Sequence, residues 1–204
     1  MSAAIERVMR LAPVIPVLVI EDAAQAEPMG RALVAGGLKA LEVTLRTPAA
    51  LEAITAMSRI AGAVVGAGTI LRPRDVEAAL KAGAQFLVSP GLTPALVDAA
   101  KANGAPLLPG VATASEILRG LELGLTHFKF FPAEANGGVA ALKALIAPIA
   151  EARFCPTGGV TLANAPHYLA LESVLCVGGS WMVPKGALDP GAIEAAARQA
   201  AALG

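Results

Sequence analysis

The strongest constraint on this chain is a two-beat alternation that repeats eight times. Short β-branched runs at 14–20, 40–45, 64–69, 86–89, 106–110, 127–131, 153–156 and 174–177 alternate with Ala-rich stretches of helical period. The runs start 20–26 residues apart, the length of one strand, one helix and two short loops. Parallel strands joined in this way need crossover helices, and eight equal units with no interior linker favour a closed barrel over an open doubly wound sheet. The prediction is an α/β protein, a single (β/α)₈ barrel domain over residues 1–204. An extra helix at about 3–11 covers the barrel bottom, and a last helix runs over about 190–202.

Helix punctuation follows the same rhythm. Asp22, Thr47-Pro48, Arg72-Pro73, Thr93-Pro94 and Thr113 with Glu116 read as N-caps, first-turn prolines or a capping box. Gly36-Gly37, Gly83, Gly104 and Gly124 fall where helices should stop. The core is aliphatic, since 55% of residues are hydrophobic but only 3% aromatic. The formal net charge is zero and no Lys/Arg stripe forms, which argues against a nucleic-acid partner. Cys155 and Cys176 sit in apolar runs without CxxC spacing, as buried small hydrophobes of a reducing compartment do. Arg7, Arg10 and the apolar run 11–20 mimic a secretory leader. Pro13 and Pro16 interrupt that run and Glu21-Asp22 follows it, so it reads as the first strand. It is too short to span a bilayer, and the expected location is cytoplasmic.

Barrel active sites lie at the C-terminal ends of the strands, so inward polar residues there carry the functional question. In His127-Phe128-Lys129-Phe130-Phe131-Pro132, alternation separates Lys129 from Phe128 and Phe130 and puts it on the face of His127 and Phe131. A buried amine tends towards its neutral form, which is a nucleophile for carbonyls. A lysine snorkelling to the mouth or held in a structural ion pair is the plain alternative. In Ala40-Leu41-Glu42-Val43-Thr44-Leu45-Arg46-Thr47, Glu42, Thr44 and Arg46 share a face. A structural salt bridge would also explain that pattern. Glu42 and Lys129 together weigh towards chemistry, because a barrel interior is normally branched and apolar, and an amine nucleophile needs a proton shuttle.

The runs Thr157-Gly158-Gly159 and Gly178-Gly179-Ser180 put glycine pairs after strands seven and eight, where barrels commonly bind phosphate through backbone N–H groups. Glycines also simply turn strands into loops. His127 reads as a packed histidine, and His167 as a helix-surface one.

These segments carry a family resemblance. Leu41 to Thr47, Gly66-Ala67-Gly68-Thr69, Ser89-Pro90-Gly91, Phe128-Lys129-Phe130-Phe131-Pro132-Ala133-Glu134, Phe154 to Gly159 and Cys176 to Trp181 occur in that order. Over about 13–184 the chain resembles the 2-keto-3-deoxy-6-phosphogluconate (KDPG) aldolases, many of which also cleave 4-hydroxy-2-oxoglutarate. The resemblance implies Lys129 as Schiff-base nucleophile and Glu42 as general acid/base. Arg46 and Thr69 would hold the pyruvyl carboxylate, Pro90 and Phe131 wall the pocket, and Thr157 orient the aldehyde half. Gly158, Gly159, Gly179 and Ser180 would receive phosphate. It further implies a carbon–carbon lyase of the Entner–Doudoroff pathway, a cytoplasmic homotrimer acting on a keto acid and a sugar phosphate, with no cofactor, metal or membrane partner.

Other readings stay open at this level. One is an aldolase of the same family acting on the C4 epimer, 2-keto-3-deoxy-6-phosphogalactonate. Another is a phosphate-binding barrel isomerase or epimerase with Glu42 as base, and a third is a non-catalytic barrel that binds such ligands.

Overall fold

A computed structural model describes residues 2–183 and 188–203. Pro184, where the family resemblance ends, lies outside the described residues. Eight parallel strands form the core: β1 Val14–Leu18, β2 Ala40–Thr44, β3 Val64–Gly68, β4 Phe86–Ser89, β5 Leu107–Val111, β6 His127–Phe130, β7 Arg153–Pro156 and β8 Val177–Gly179. Neighbours in sequence are neighbours in space, and β8 returns to pair with β1. Bridges Phe154↔Val174 and Thr157↔Gly178 bring β7 and β8 together and close the ring.

Around it stand α1 Ser2–Met9, α2 Ala26–Ala35, α3 Ala50–Met57, α4 Pro73–Lys81, α5 Pro94–Ala102, α6 Ala114–Glu122, α7 Gly138–Ile146, α8 Ala165–Leu169 and α9 Pro190–Ala201. Strand alternation sorts the core into two layers. Leu41, Val43, Phe128, Phe130 and Phe154 face the helices. Ile15, Ala40, Phe86, Val88, Leu108 and Cys155 fill the barrel with Ile5, Val8 and Met9 of α1. That helix is therefore the barrel's floor, and each of its three buried side chains contributes up to about 1.5–3 kcal/mol. Gly66 makes room for the Phe86 ring, which a β-carbon there would meet at 2.4 Å.

Several expected boundaries differ. The eighth strand is Val177–Gly179 rather than 174–177, because Leu175 N–H bonds to Phe154 and only at Val177 does the chain reach Pro13. Strand five starts and ends one residue later than expected, and strand one stops at Leu18. Strand three ends at Gly68, since Thr69 leaves the extended region with φ 61°. Thr47 does not cap α3; its hydroxyl donates to the Ile20 carbonyl at 2.5 Å and the helix begins only at Ala50. Asp22 caps a short 3₁₀ turn at Ala23–Gln25 instead of α2 itself. Thr93 and the Thr113–Glu116 box cap as expected, while before α4 the cap comes from Asp75, which accepts from Arg72 N–H. Gly37, Gly83, Gly104 and Gly124 follow helices with positive φ.

Candidate active site

β2 aims Glu42, and β6 aims Lys129, into the upper barrel. Lys129 Nζ stands 3.3 Å from Glu42 Oε1, and the two side chains are 6% and 4% exposed. Two charges desolvated to this degree are expensive unless each satisfies the other, and among the described residues Glu42 is the hydrogen-bond partner of Lys129. The amine also lies 5.1 Å from the centroid of the Phe131 ring, within cation–π range. Strand alternation accounts for the arrangement: Phe128 and Phe130 are buried against the helices, so the lysine between them must turn inward.

Glycines shape the space around this pair. Gly68 lies on β3 beside β2, and a β-carbon on it would fall 2.2 Å from Glu42 Oε1. Gly110 is the register neighbour of Lys129 on β5. A β-carbon there would fall 2.1 Å from the Pro90 carbonyl oxygen, so the bare glycine lets the backbone after β4 lean over β5. Neither Gly68 nor Gly110 was singled out from sequence. Glycine at an inward position of a strand adjoining a buried ionisable residue is the signal that would have found them.

Arg46 and Thr69 form a second pair at the mouth, with Arg46 Nε donating to Thr69 Oγ1 at 3.4 Å. Arg46 is exposed and free to meet an anion. Among the described residues Thr69 alone combines a side chain with positive φ, a strain of about 1–3 kcal/mol that a β-branched residue bears only where its surroundings impose it. No hydrogen bond among the described residues joins this pair to Lys129 and Glu42.

Past β7, Thr157 is buried, and its hydroxyl donates to the Cys155 carbonyl at 3.3 Å. A β-carbon on Gly178 would lie 2.3 Å from Thr157 Oγ1, so this glycine seats the threonine. Gly158 and Gly159 then turn the chain with φ 99° and 79°. Gly179 lies against the Trp181 ring, and Ser180 is exposed just beyond β8. Gly178 and Gly179 therefore belong to strand eight, whereas Gly158 and Gly159 form a loop after strand seven. His127 is buried at the opposite end, with Nε2 3.5 Å from Glu6 of the floor helix, and burial holds its pKa below 6.5. His167 is exposed on α8. Among the described residues no group of three or more His, Cys, Asp or Glu is placed to hold a metal ion.

Residues 5–198 match the family model of KDPG and KHG aldolase. The chain belongs to that aldolase family. A 2-dehydro-3-deoxy-phosphogluconate aldolase of Zymomonas mobilis is 58% identical over 199 residues, covering 98% of this chain and 96% of the relative. The crystal structure of the 2-keto-3-deoxy-6-phosphogluconate aldolase of Z. mobilis ZM4 with 3-phosphoglycerate matches at TM-score 0.98 and 56% identity, covering 100% of this chain and 98% of that one. The Legionella pneumophila KDPG aldolase, with pyruvate captured at low pH as a covalent carbinolamine, matches at TM-score 0.93 and 42% identity, over 96% and 97% of the two chains. Inside this barrel, Lys129 and Glu42 set a buried amine beside a buried carboxylate.

Proposed function

We propose that Lys129 is the Schiff-base residue of a class I aldolase that cleaves 2-keto-3-deoxy-6-phosphogluconate to pyruvate and glyceraldehyde 3-phosphate. It also takes 4-hydroxy-2-oxoglutarate, yielding pyruvate and glyoxylate. The observation that carries this reading is the buried contact between Lys129 Nζ and Glu42 Oε1 at 3.3 Å.

Glu42 takes a proton from Lys129, and the free amine attacks C2 of the keto acid. Protons returned through Glu42 convert the carbinolamine oxygen to water, which leaves an iminium. Glu42 then removes the C4 hydroxyl proton. The C4–O pair forms the aldehyde, the C3–C4 bond breaks, and its electrons pass into the iminium as an enamine. Protonation at C3 and attack by water release pyruvate and regenerate the amine. The iminium is the electron sink, so the sequence of steps needs no Lewis acid.

Arg46 and Thr69 receive the keto-acid carboxylate, with Arg46 offering the planar fork that suits it. Pro90 and Phe131 wall the cleft and Thr157 orients the aldehyde half. The backbone around Gly158, Gly159 and Gly179, with the Ser180 hydroxyl, receives the phosphate; the 3-phosphoglycerate in the Z. mobilis structure is a phosphorylated ligand of the matching kind. We also propose one domain over the whole chain, a homotrimer and a cytoplasmic location, all on family resemblance. No helix among the described residues is long and apolar enough to cross a membrane.

The test is pyruvate release from KDPG, from its C4 epimer and from 4-hydroxy-2-oxoglutarate, each with a chelator present. Turnover should be highest on KDPG and unchanged by the chelator. No pyruvate from any of the three would contradict the reading.

A further inference from the structure

One polar pair near the mouth has no part in the chemistry above. Tyr168, on α8, is fully buried, and its hydroxyl donates to Glu134 Oε1. Burial and the neighbouring carboxylate push the phenol's pKa up, so it stays a donor through the physiological range. Glu134 itself reaches in from the surface, four residues after β6.

Both residues are tied to the loop after β7. Ala133 N–H donates to the Thr157 carbonyl at 2.8 Å, and Glu134 N–H to the Gly158 carbonyl at 3.0 Å. The Glu134 side chain fills the space beside Gly159, where a β-carbon would meet its Cβ and Cγ at 2.7 Å. From the other side, Asn164 Nδ2 donates to the Gly159 carbonyl at 3.2 Å, immediately before the helix that carries Tyr168. The contacts form a closed circuit: Glu134 to the glycine pair, the pair to Asn164, Asn164 through α8 to Tyr168, and Tyr168 back to Glu134. A loop with two positive-φ glycines has many alternative shapes open to it, and this circuit selects one.

We propose that Glu134 and Tyr168 are positioning residues for the substrate phosphate, holding the Gly158–Gly159 turn in its binding shape without touching substrate. The proposal rests on the assignment of the phosphate to Gly158, Gly159, Gly179 and Ser180. Loosening the circuit frees the loop to wander, so only a ligand that uses the loop should lose affinity. The unphosphorylated substrate and pyruvate alone do not use it.

The experiment compares Tyr168→Phe, Glu134→Ala and Glu134→Gln with the parent enzyme on KDPG and on 4-hydroxy-2-oxoglutarate. Borohydride trapping with pyruvate and thermal unfolding are measured beside them. Tyr168→Phe keeps the ring in the core, and the amide of Glu134→Gln still accepts from the phenol. Tyr168→Phe and Glu134→Ala should raise KM for KDPG about tenfold, near the worth of a charge-assisted hydrogen bond. Their kcat, KM for the unphosphorylated substrate and trapping rate should stay unchanged, and Glu134→Gln should restore most of the affinity.

An unchanged KM for KDPG in folded Tyr168→Phe and Glu134→Ala overturns the proposal, as does an equal loss on both substrates. Ser180→Asp separates it from the assignment beneath it, because a carboxylate there repels phosphate directly. If Ser180→Asp raises KM for KDPG and the circuit variants do not, the positioning role fails alone. If Ser180→Asp also leaves it unchanged, the phosphate assignment fails and the positioning role with it.

Discussion

Oε1 of Glu42 stands only 2.2 Å from where a β-carbon on Gly68 would be, and its Cγ and Cδ only 2.8 Å. The carboxylate thus occupies a notch that exists because β3 carries no side chain at that point. The notch sets where Glu42 can lie beside Lys129. Gly68→Ala should displace the carboxylate by an ångström or so. We expect kcat for KDPG cleavage to fall about 10²-fold, the usual cost of such a misplacement, with a stability loss of about 1–3 kcal/mol from overpacking. Steady-state kinetics and urea unfolding read the two effects, and parent-like kcat would show that the notch does not set the geometry.

Glu42→Gln probes the chemistry of the same group while keeping its shape. An amide cannot exchange protons, so kcat should drop by about 10²–10⁴. Imine formation with pyruvate should survive at a reduced rate. Undiminished turnover would mean the carboxylate is structural and the proton shuttle lies elsewhere.

Thr69 pays for its position in backbone strain, with φ 61°. Thr69→Gly relieves about 1–2 kcal/mol of that strain against about 0.4–1 kcal/mol of added unfolded-state entropy. Its stability should equal or slightly exceed the parent's, while KM for pyruvate in the condensation direction rises as Arg46 loses its hydroxyl partner. A clearly destabilised variant, or one with unaltered KM, would remove the functional explanation for the strain.

Sequence periodicity picks out Lys129 and Glu42, which the structure brings together, because they are costly inward exceptions on otherwise apolar strands. The eighth strand lies beyond the expected run for the opposite reason: Gly178 and Gly179 carry no β-branched signature, so 174–177 reads as more strand-like than the residues that pair with β1. The Thr69 conformation was not legible, since Gly66-Ala67-Gly68-Thr69 reads as continuous strand until the backbone is seen. Nor was the Glu134–Tyr168 contact, which joins residues 34 apart through the packing of α8.

At the barrel floor, burial lowers the His127 pKa, while Glu6 opposes the shift. Folded His127 stays neutral at pH values where the unfolded chain, with a histidine pKa of about 6.5, already binds a proton. The resulting stability is full above that value and is lost as pH falls from it towards the lowered folded value. Urea midpoints at pH 7.5 and 5.5 should therefore differ more for the parent than for His127→Gln, which has nothing to titrate there. Equal differences would mean that His127 contributes nothing to the acid sensitivity.

In the proposed reaction Lys129 forms the covalent bond to substrate. Incubation with pyruvate, reduction by borohydride, intact mass and peptide mapping test it in one sample. One reduced pyruvate adduct per chain is expected, located on Lys129, and none in Lys129→Arg, whose guanidinium stays protonated and cannot form the imine. An adduct on Lys143 or Lys185 in place of Lys129, or no adduct while KDPG cleavage continues, would contradict it.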